Sequence, residues 1–327
     1  MHKRTITSIL HRKTTTLKNS LKLAGAPATV IECVDRGIVT GGCIVSMLLD
    51  EKVSDYDLYF ASVKDAEVVM EWAADRFNTK NRRGDRMKPA VEIRLDQDNA
   101  PYFFIKSSGI AAEAEEEGGG AVYEFFENVD HPERTAAFMR GMFGYVAAGR
   151  DQREAYEPVF FSQNAIGLAP PKNKDGVAPA WQFIVRFSGT ADQIHESFDY
   201  VHCTNWYSIA DKQLYLRQAA IESIMSKTLL YTGSQFPVCS ILRARKFIKR
   251  GWNINAGQYL RMCLQISKLD LYDLETLQRQ LTGVDAAYFA EIFSQIAAAE
   301  REQDGSVIES ERVDEGYLAQ LIEKLFD

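Results

Sequence analysis

The sequence has no two cysteines at metal-ligand spacing. Cys33, Cys43, Cys203, Cys239 and Cys263 are scattered and odd in number, which excludes a CxxC zinc site and a complete disulfide framework. They read as small buried apolar residues. The histidines are as dispersed: His195 and His202 flank Asp199, but neither stands at ligand spacing from another histidine. No apolar run approaches the roughly 20 residues that cross a bilayer. The opening Met1-His2-Lys3-Arg4-Thr5 lacks the apolar core and cleavage site of a secretory leader. A cytoplasmic place and no membrane partner are expected. No internal repeat is visible. What is present is a globular balance, 46% apolar and 25% charged over 327 residues, enough for one large domain or two ordinary ones.

The formal net charge of −7 would argue against a polyanionic partner if charge were spread evenly, and it is not. Acid gathers in Glu113-Ala114-Glu115-Glu116-Glu117 and near the C-terminal end. Base gathers in residues 2–22, in Asn81 to Lys88 and in Arg243 to Arg250. Local patches, not the total, bind phosphate. Residues 1–22 carry a weak stripe of Ile6, Ile9, Leu10 and Leu17. They read either as a frayed, solvated arm or as an arm that grips nucleic acid or a protein partner.

The remaining pattern is α+β followed by all-α. Strands are expected at Gly37–Thr40, Tyr56–Phe60, Val91–Leu95, Tyr102–Ile105, Pro158–Phe161, Ala165–Leu168 and Trp181–Phe187, the last two forming a hairpin around a Pro/Lys/Asn/Gly-rich loop. Helices are expected at Cys43–Leu49 and, with Ala66, Val69, Met70 and Ala73 on one face, at Asp65–Phe77. An acidic stretch closes in Gly118-Gly119-Gly120, a flexible-loop signature, and a helix is expected at 135–148. Beyond Leu216 the pattern is helical. Its apolar stripes are Ile221/Ile224/Met225, Ile241/Leu242/Phe247/Ile248, Tyr259/Leu260/Cys263/Leu264 and, after an Asp285 cap, Tyr288 to Ile296, with an amphipathic end at Tyr317–Phe326. The division this gives is a basic arm at 1–30, a head at 31–212 with an insert at about 96–155, and a helical neck and tail at 213–327.

The chemistry concentrates in Thr40-Gly41-Gly42-Cys43-Ile44-Val45-Ser46, continuing to Ser54-Asp55-Tyr56-Asp57-Leu58. Two glycines open a helix, where backbone N–H groups can approach an anion closely. The next strand carries aspartates at i and i+2, which period-2 geometry puts on one face. Two carboxylates so close repel unless a divalent cation lies between them, and hard oxygen ligands suit Mg²⁺ or Mn²⁺.

This stretch resembles the first motif of the DNA polymerase beta-like nucleotidyltransferases, in the branch of poly(A) polymerases and CCA-adding tRNA nucleotidyltransferases. That motif runs Gly-Gly-x-Val/Ile-Arg-Asp-x-Leu-Leu-Gly, then a loop, then Asp-x-Asp. Phe198-Asp199-Tyr200-Val201-His202-Cys203-Thr204-Asn205 resembles the family's Arg-Asp-Phe-Thr-Ile-Asn-Ala. Leu242-Arg243-Ala244-Arg245-Lys246-Phe247-Ile248-Lys249-Arg250-Gly251-Trp252 resembles Leu-Arg-Ala-x-Arg-Phe-x-x-Arg-x-Gly-Phe on the helical neck. The resemblance covers about residues 35–265 and is strongest to nucleotidyltransferase-like proteins of tailed phages, whose place would be the host cytoplasm or the virion. Three departures stand out. Val45-Ser46 replaces Arg-Asp, the third acidic position becomes Gln182, and of Glu-Asp-x-x-Arg only Arg243 remains. Asp199 and Glu92 are alternative third carboxylates.

The resemblance implies transfer of a nucleoside monophosphate from an NTP to an RNA 3′ end, as on tRNA, with Mg²⁺ or Mn²⁺. Asp55 and Asp57 would hold the metal and Asp199 would assist. Gly41, Gly42, Ser54, Arg243 and Lys246 would bind nucleotide, and Arg245, Lys249 and Arg250 would bind RNA. The departures support a rival: a protein of the same fold without turnover, in an RNA-binding or virion role. Transfer to a protein or small molecule is a third possibility, because one fold serves many acceptors.

Overall fold

A computed structural model describes residues 1–80, 91–95, 101–105, 154–162, 164–171, 180–273, 276, 277, 280, 315, 316 and 319. The basic cluster at 81–88, the acidic run, the triple glycine, the 135–148 helix, the tip of the 170–179 loop and nearly all of the chain beyond 280 lie outside the described residues. The chain divides into two compact units, residues 1–106 with 149–225, and residues 107–148 with 226–327.

In the first unit the chain order is α1 (Lys3–Leu23), α2 (Ala28–Arg36), β1 (Ile38–Thr40), α3 (Gly42–Leu48), β2 (Asp55–Phe60), α4 (Val63–Lys80), β3 (Val91–Leu95) and β4 (Pro101–Ile105). It continues with β5 (Glu157–Ser162), β6 (Ala165–Ala169), β7 (Ala180–Ser188), α5 (Ala191–Glu196), a 3₁₀ turn at Val201–Cys203, β8 (Trp206–Ser208), β9 (Gln213–Tyr215) and α6 (Gln218–Ser226). Seven strands form one mixed sheet in the order β5-β6-β7-β2-β1-β8-β9, while β3 and β4 form a separate hairpin. Among the described strands of this sheet only the β2–β7 pairing is parallel. The architecture is α+β, and every strand expected from the sequence is present to within two residues.

Alternation decides which face of the sheet is core. Val39, Tyr56, Leu58, Phe60, Tyr207, Leu214, Ile166, Leu168, Trp181 and Phe183 are all buried. The register joins them across the strands: Leu58 opposite Val39 and Phe183, Tyr56 opposite Trp181, Val39 opposite Tyr207. Helices α1, α2 and α4 contact the sheet. Ala66, Val69, Met70 and Ala73 of α4 are fully buried, as the stripe predicts. Two bidentate ion pairs tie the layer together. Arg36 of α2 grips Asp65 of α4 at 2.6 and 3.2 Å, and Arg76 of α4 grips Glu157 of β5 at 2.7 and 2.7 Å.

Residues 3–23 are not a frayed arm. They form α1, with Ile6, Leu10, Leu17 and Leu21 fully buried. Four large aliphatic side chains on one stripe outweigh the cost of ordering a polar helix. The short strands β8 and β9 and helices α2 and α5 were not expected. Three-residue strands carry too little alternation to be read. Helix α5 did announce itself, because Thr190 and Gln193 form a capping box.

In the second unit the described helices are α7 (Pro237–Lys249) and α8 (Ala256–Ile266). Asn255 caps α8 by accepting from the Gln258 N–H at 3.1 Å. Gln265 of α8 fixes the preceding loop: its Oε1 accepts from the Tyr231 hydroxyl at 2.5 Å and its Nε2 donates to the Ser234 carbonyl at 2.8 Å. The expected stripes need correction here. Leu242 is buried, and in α6 of the first unit Ile224 is buried but Met225 is 82% exposed. Ile248, Tyr259, Leu260, Cys263 and Leu264 are also exposed, and α8 buries only Met262. No described helix is long and apolar enough to cross a membrane.

Candidate functional site

The site grows out of three adjacent strands. Asp55 and Asp57 lie on β2 with burial alternating between half-buried and buried residues, so both leave the same face, about 7 Å apart along the strand. Tyr56 between them turns into the core and stacks on Trp181, ring centroids 4.8 Å apart. Asp57 is in register with Thr40 of β1 on one side and Gln182 of β7 on the other.

Gly41 closes the corner. Its φ is +91°, a region that L side chains rarely enter, and a Cβ there would lie 3.2 Å from Asp57 Oδ2. Only glycine brings the chain this close to the carboxylate. Gly42 is different. It is the first residue of α3, and a Cβ there would meet nothing within 4 Å, so it faces open space. The two glycines and the two aspartates singled out in the sequence thus come together.

Asp55 is engaged at both oxygens. Ser54 Oγ donates to Oδ1 at 2.5 Å, and Gln182 Nε2 donates to Oδ2 at 2.8 Å. The position at which the resemblance expects an acid therefore supplies a donor that offsets the charge of Asp55. Asp55 and Asp57 offer hard oxygen ligands of the kind that Mg²⁺ and Mn²⁺ take, and such a cation keeps several waters. These two carboxylates, on one strand face with open space at nearby Gly42, are the residues that could hold one hydrated cation. Among the described residues no group of three or more His, Cys, Asp and Glu side chains is arranged to hold a metal. Asp199 is carried by the buried segment after α5. Glu92 lies on β3, 3.4 Å from Arg94.

A second layer escaped sequence reasoning. The Thr40 side chain, next to Gly41, is held by three contacts. Thr40 Oγ1 lies 2.8 Å from the Asn205 carbonyl, 3.2 Å from the Cys203 carbonyl and 2.8 Å from His195 Nε2. Carbonyls only accept, so the hydroxyl proton serves them and His195 Nε2–H donates to Thr40. Gly41 N–H donates to the same Cys203 carbonyl at 3.2 Å. Burial, and then Arg217, lowers the His195 pKa to about 4, with Asp192 opposing. The imidazole is neutral at pH 7, and its Nδ1 is buried without a hydrogen-bond partner among the described residues. No local signal links Thr40 to a histidine 155 residues away. Cys43 is buried behind the carboxylates. Burial, then Asp57 and Asp55, push its thiol well above the usual range, so it stays protonated and is no nucleophile.

The neck residues belong to the second unit. Arg243, Arg245, Lys246 and Lys249 lie on α7, with Arg250 as its C-cap. Lys249 is exposed and the others are half-buried. The Arg250 guanidinium lies 5.1 Å from the centre of the Phe247 ring. Lys246 and Lys249 in the last turn also complement the helix dipole, a structural role that needs no ligand.

Among solved structures, the chain is distantly similar to the Thermotoga maritima CCA-adding enzyme complexed with tRNA, at TM-score 0.36 and 10% identity over 88% of this chain and 61% of that one. It is also similar to a tRNA nucleotidyltransferase complexed with a primer tRNA and an incoming ATP analog, at TM-score 0.34 and 11% identity over 89% and 72% of the two chains. A tRNA-processing enzyme in an apo form gives TM-score 0.35 and 11% identity over 92% and 75%. The chain thus spans 61% of the length of the Thermotoga maritima enzyme. No curated protein matches it in sequence. The family model described as Gabija anti-defense 2 family protein matches residues 8–227. That stretch begins within α1, ends just past α6 and contains Gly41, Gly42, Asp55, Asp57, Gln182 and His195, so that well over half of this chain, with the whole carboxylate corner, belongs to the Gabija anti-defense 2 family.

Proposed function

We propose that this chain binds a nucleoside triphosphate with one divalent cation at Asp55 and Asp57, and transfers the nucleoside monophosphate to a hydroxyl acceptor. The observation that carries this is the corner itself: a positive-φ glycine against Asp57, open space at Gly42, and a second carboxylate on the same strand face. A bound Mg²⁺ or Mn²⁺ would neutralise the phosphates and the leaving pyrophosphate. The chain's own residues do the rest. Asp55 and Asp57 hold the cation, and Ser54 and Gln182 fix the rotamer of Asp55. The His195–Thr40 contact fixes the Gly41 turn. In the reaction the acceptor oxygen bonds to the α-phosphorus, the bond to the bridging oxygen of pyrophosphate breaks, and the hydroxyl proton passes to water. Such chemistry needs position and charge neutralisation more than covalent help.

An RNA 3′-hydroxyl is the first acceptor to test, with the α7 cations Arg243, Arg245, Lys246, Lys249 and Arg250 supplying phosphate contacts. The experiment is incubation with each labelled NTP, Mg²⁺ or Mn²⁺, and either a mixed RNA pool or cell protein. Label should enter one acceptor with the native chain and fall at least 1000-fold, about 4 kcal/mol of transition-state stabilisation, in Asp55→Asn and Asp57→Asn. Absence of transfer to any acceptor, with nucleotide left intact, would remove the enzymatic reading.

A second reading draws on the family's name and on Gln182. A chain that counters Gabija defence by binding alone would need no third acid and no turnover. Gabija activity measured with the native chain and with Asp55→Asn/Asp57→Asn separates the two. Undiminished inhibition by the double variant favours binding, and lost inhibition with an intact fold favours the enzyme.

A further inference from the structure

Helix α1 has two unlike sides, and only the buried one is explained by the fold. Its 21 residues contain no Asp or Glu. Arg4, His11, Lys18 and Lys22 fall at i, i+7, i+14 and i+18, one line along the helix spanning about 27 Å. Arg4, His11 and Lys22 are exposed, and Lys18 is half-buried and paired with Asp35. Beside this line run Thr5, Ser8, Arg12 and Asn19, all exposed. Lys3 is exposed at the N-terminal end. Among the described residues, Lys3, Arg4, Arg12 and Lys22 form no ion pair with an acid. On a chain of net charge −7 this is segregated positive charge on a docked, rigid rod.

We propose that the outer face of α1 binds the phosphate backbone of a nucleic-acid duplex. The composition of the face selects this partner. Arginine, lysine, hydroxyl and amide side chains are the groups that contact phosphates. A protein partner needs an apolar patch at the centre of the interface, and the outer face offers none before Leu23 at its end. The shape selects a duplex over a single strand. A duplex already holds its phosphates in fixed positions, so a rod about 27 Å long can meet several of them without the ordering that a flexible strand would undergo. The contacts are to backbone alone, so binding is independent of sequence and falls with salt. This surface is separate from the carboxylate corner and acts whether or not nucleotide is transferred.

The test uses the full chain and a labelled 16-base-pair DNA duplex, with anisotropy read across a salt series. Four unpaired cations predict a slope of about −3.6 in log K against log salt. The triple variant Arg4→Gln/Arg12→Gln/Lys22→Gln should flatten the slope by about 2.7 and weaken binding at least tenfold at 0.1 M salt, with an unchanged far-UV spectrum and melting curve. If the triple variant fails to fold, Arg4→Lys/Arg12→Lys, which keeps the charge, should retain the slope while Arg4→Gln/Arg12→Gln loses about 1.8 of it. An unchanged slope in the glutamine variants overturns the proposal, as does absence of duplex binding by the native chain. Displacement of the duplex by polyglutamate of equal charge, at equal concentration, assigns the face to an acidic protein and also overturns it.

Discussion

Helices α1 and α8 carry the same kind of apolar stripe and meet opposite fates. In α1, Ile6, Leu10, Leu17 and Leu21 are fully buried, although six lysines and arginines make it one of the most polar of the described helices. In α8, Tyr259, Leu260 and Leu264 are 41%, 60% and 58% exposed, and Met262 alone is buried. A 3.6-residue period says that a helix has an apolar face. It does not say what covers that face. For α1 the answer comes from its partners: the helix lies on the head beside its chain neighbours α2 and α3 and beside β9, nearly two hundred residues away.

The comparison is broken most directly by truncating one leucine in each helix. Leu10→Ala should cost about 3 kcal/mol, because a fully buried leucine loses both transfer energy and its cavity. Leu264→Ala should stay within about 0.5 kcal/mol. Urea titration of the two variants reads both values. Equal losses would mean that the α8 stripe is covered after all.

Burial acts on polar groups in the same way, and pH exposes it. His195 has a folded pKa of about 4 against roughly 6.5 when unfolded. The unfolded chain therefore binds the proton first. The contribution of His195 is complete above about pH 6.5 and drains away as pH falls toward 4. Between pH 7 and pH 5 the loss is about 2 kcal/mol. Native protein and His195→Gln, compared by denaturation at both values, should differ in slope, with the variant losing less. Parallel slopes would remove His195 as the source.

The half-buried face of the sheet stands between these extremes, and Gln182 tests it. Gln182→Glu removes the amide that donates to Asp55 Oδ2 and adds a third carboxylate. Repulsion should lower the melting temperature without metal, and Mn²⁺ should restore it. Calorimetric titration should show Mn²⁺ binding about tenfold tighter, roughly 1.4 kcal/mol. Unaltered affinity would show that Gln182 does not face the cation.

The corner was legible because its signals are local. Asp-x-Asp on a strand, two glycines and a one-helix spacer are all read within residues 40–58, and the strands on either side of the insert alternate clearly. Register is not local. That β7 runs parallel beside β2 and sets Gln182 against Asp57 depends on pairing across more than a hundred residues. The His195–Thr40 contact is of the same kind. Strands β8 and β9 were too short to show a period, yet they carry Trp206, in register with Thr40, and Tyr215, in register with Trp206. The capping box at Thr190 and Gln193 is a local signal of the legible kind.

The smallest effect concerns how helices end. Helix α1 closes in a Schellman motif: Gly25 takes φ +81°, its N–H donates to the Lys22 carbonyl at 3.0 Å, and Ala26 N–H donates to Leu21 at 2.9 Å. Helix α3 closes identically, with Asp50 N–H to Met47 at 3.3 Å and Glu51 N–H to Ser46 at 2.8 Å. Asp50, however, is not glycine and sits at φ +60°, where the resemblance places the glycine of Leu-Leu-Gly. A left-handed conformation costs an L residue roughly 1–2 kcal/mol, and Asp tolerates it better than most. Glycine gives back part of the gain through its freer unfolded chain. Asp50→Gly should therefore stabilise the protein by about 0.5 kcal/mol, and Gly25→Asp should destabilise it by a similar amount. Asp50→Ala controls for the lost carboxylate and should not stabilise. A gain in the alanine variant equal to that in the glycine variant would trace the effect to the lost charge, and the strain at the end of α3 would then contribute nothing.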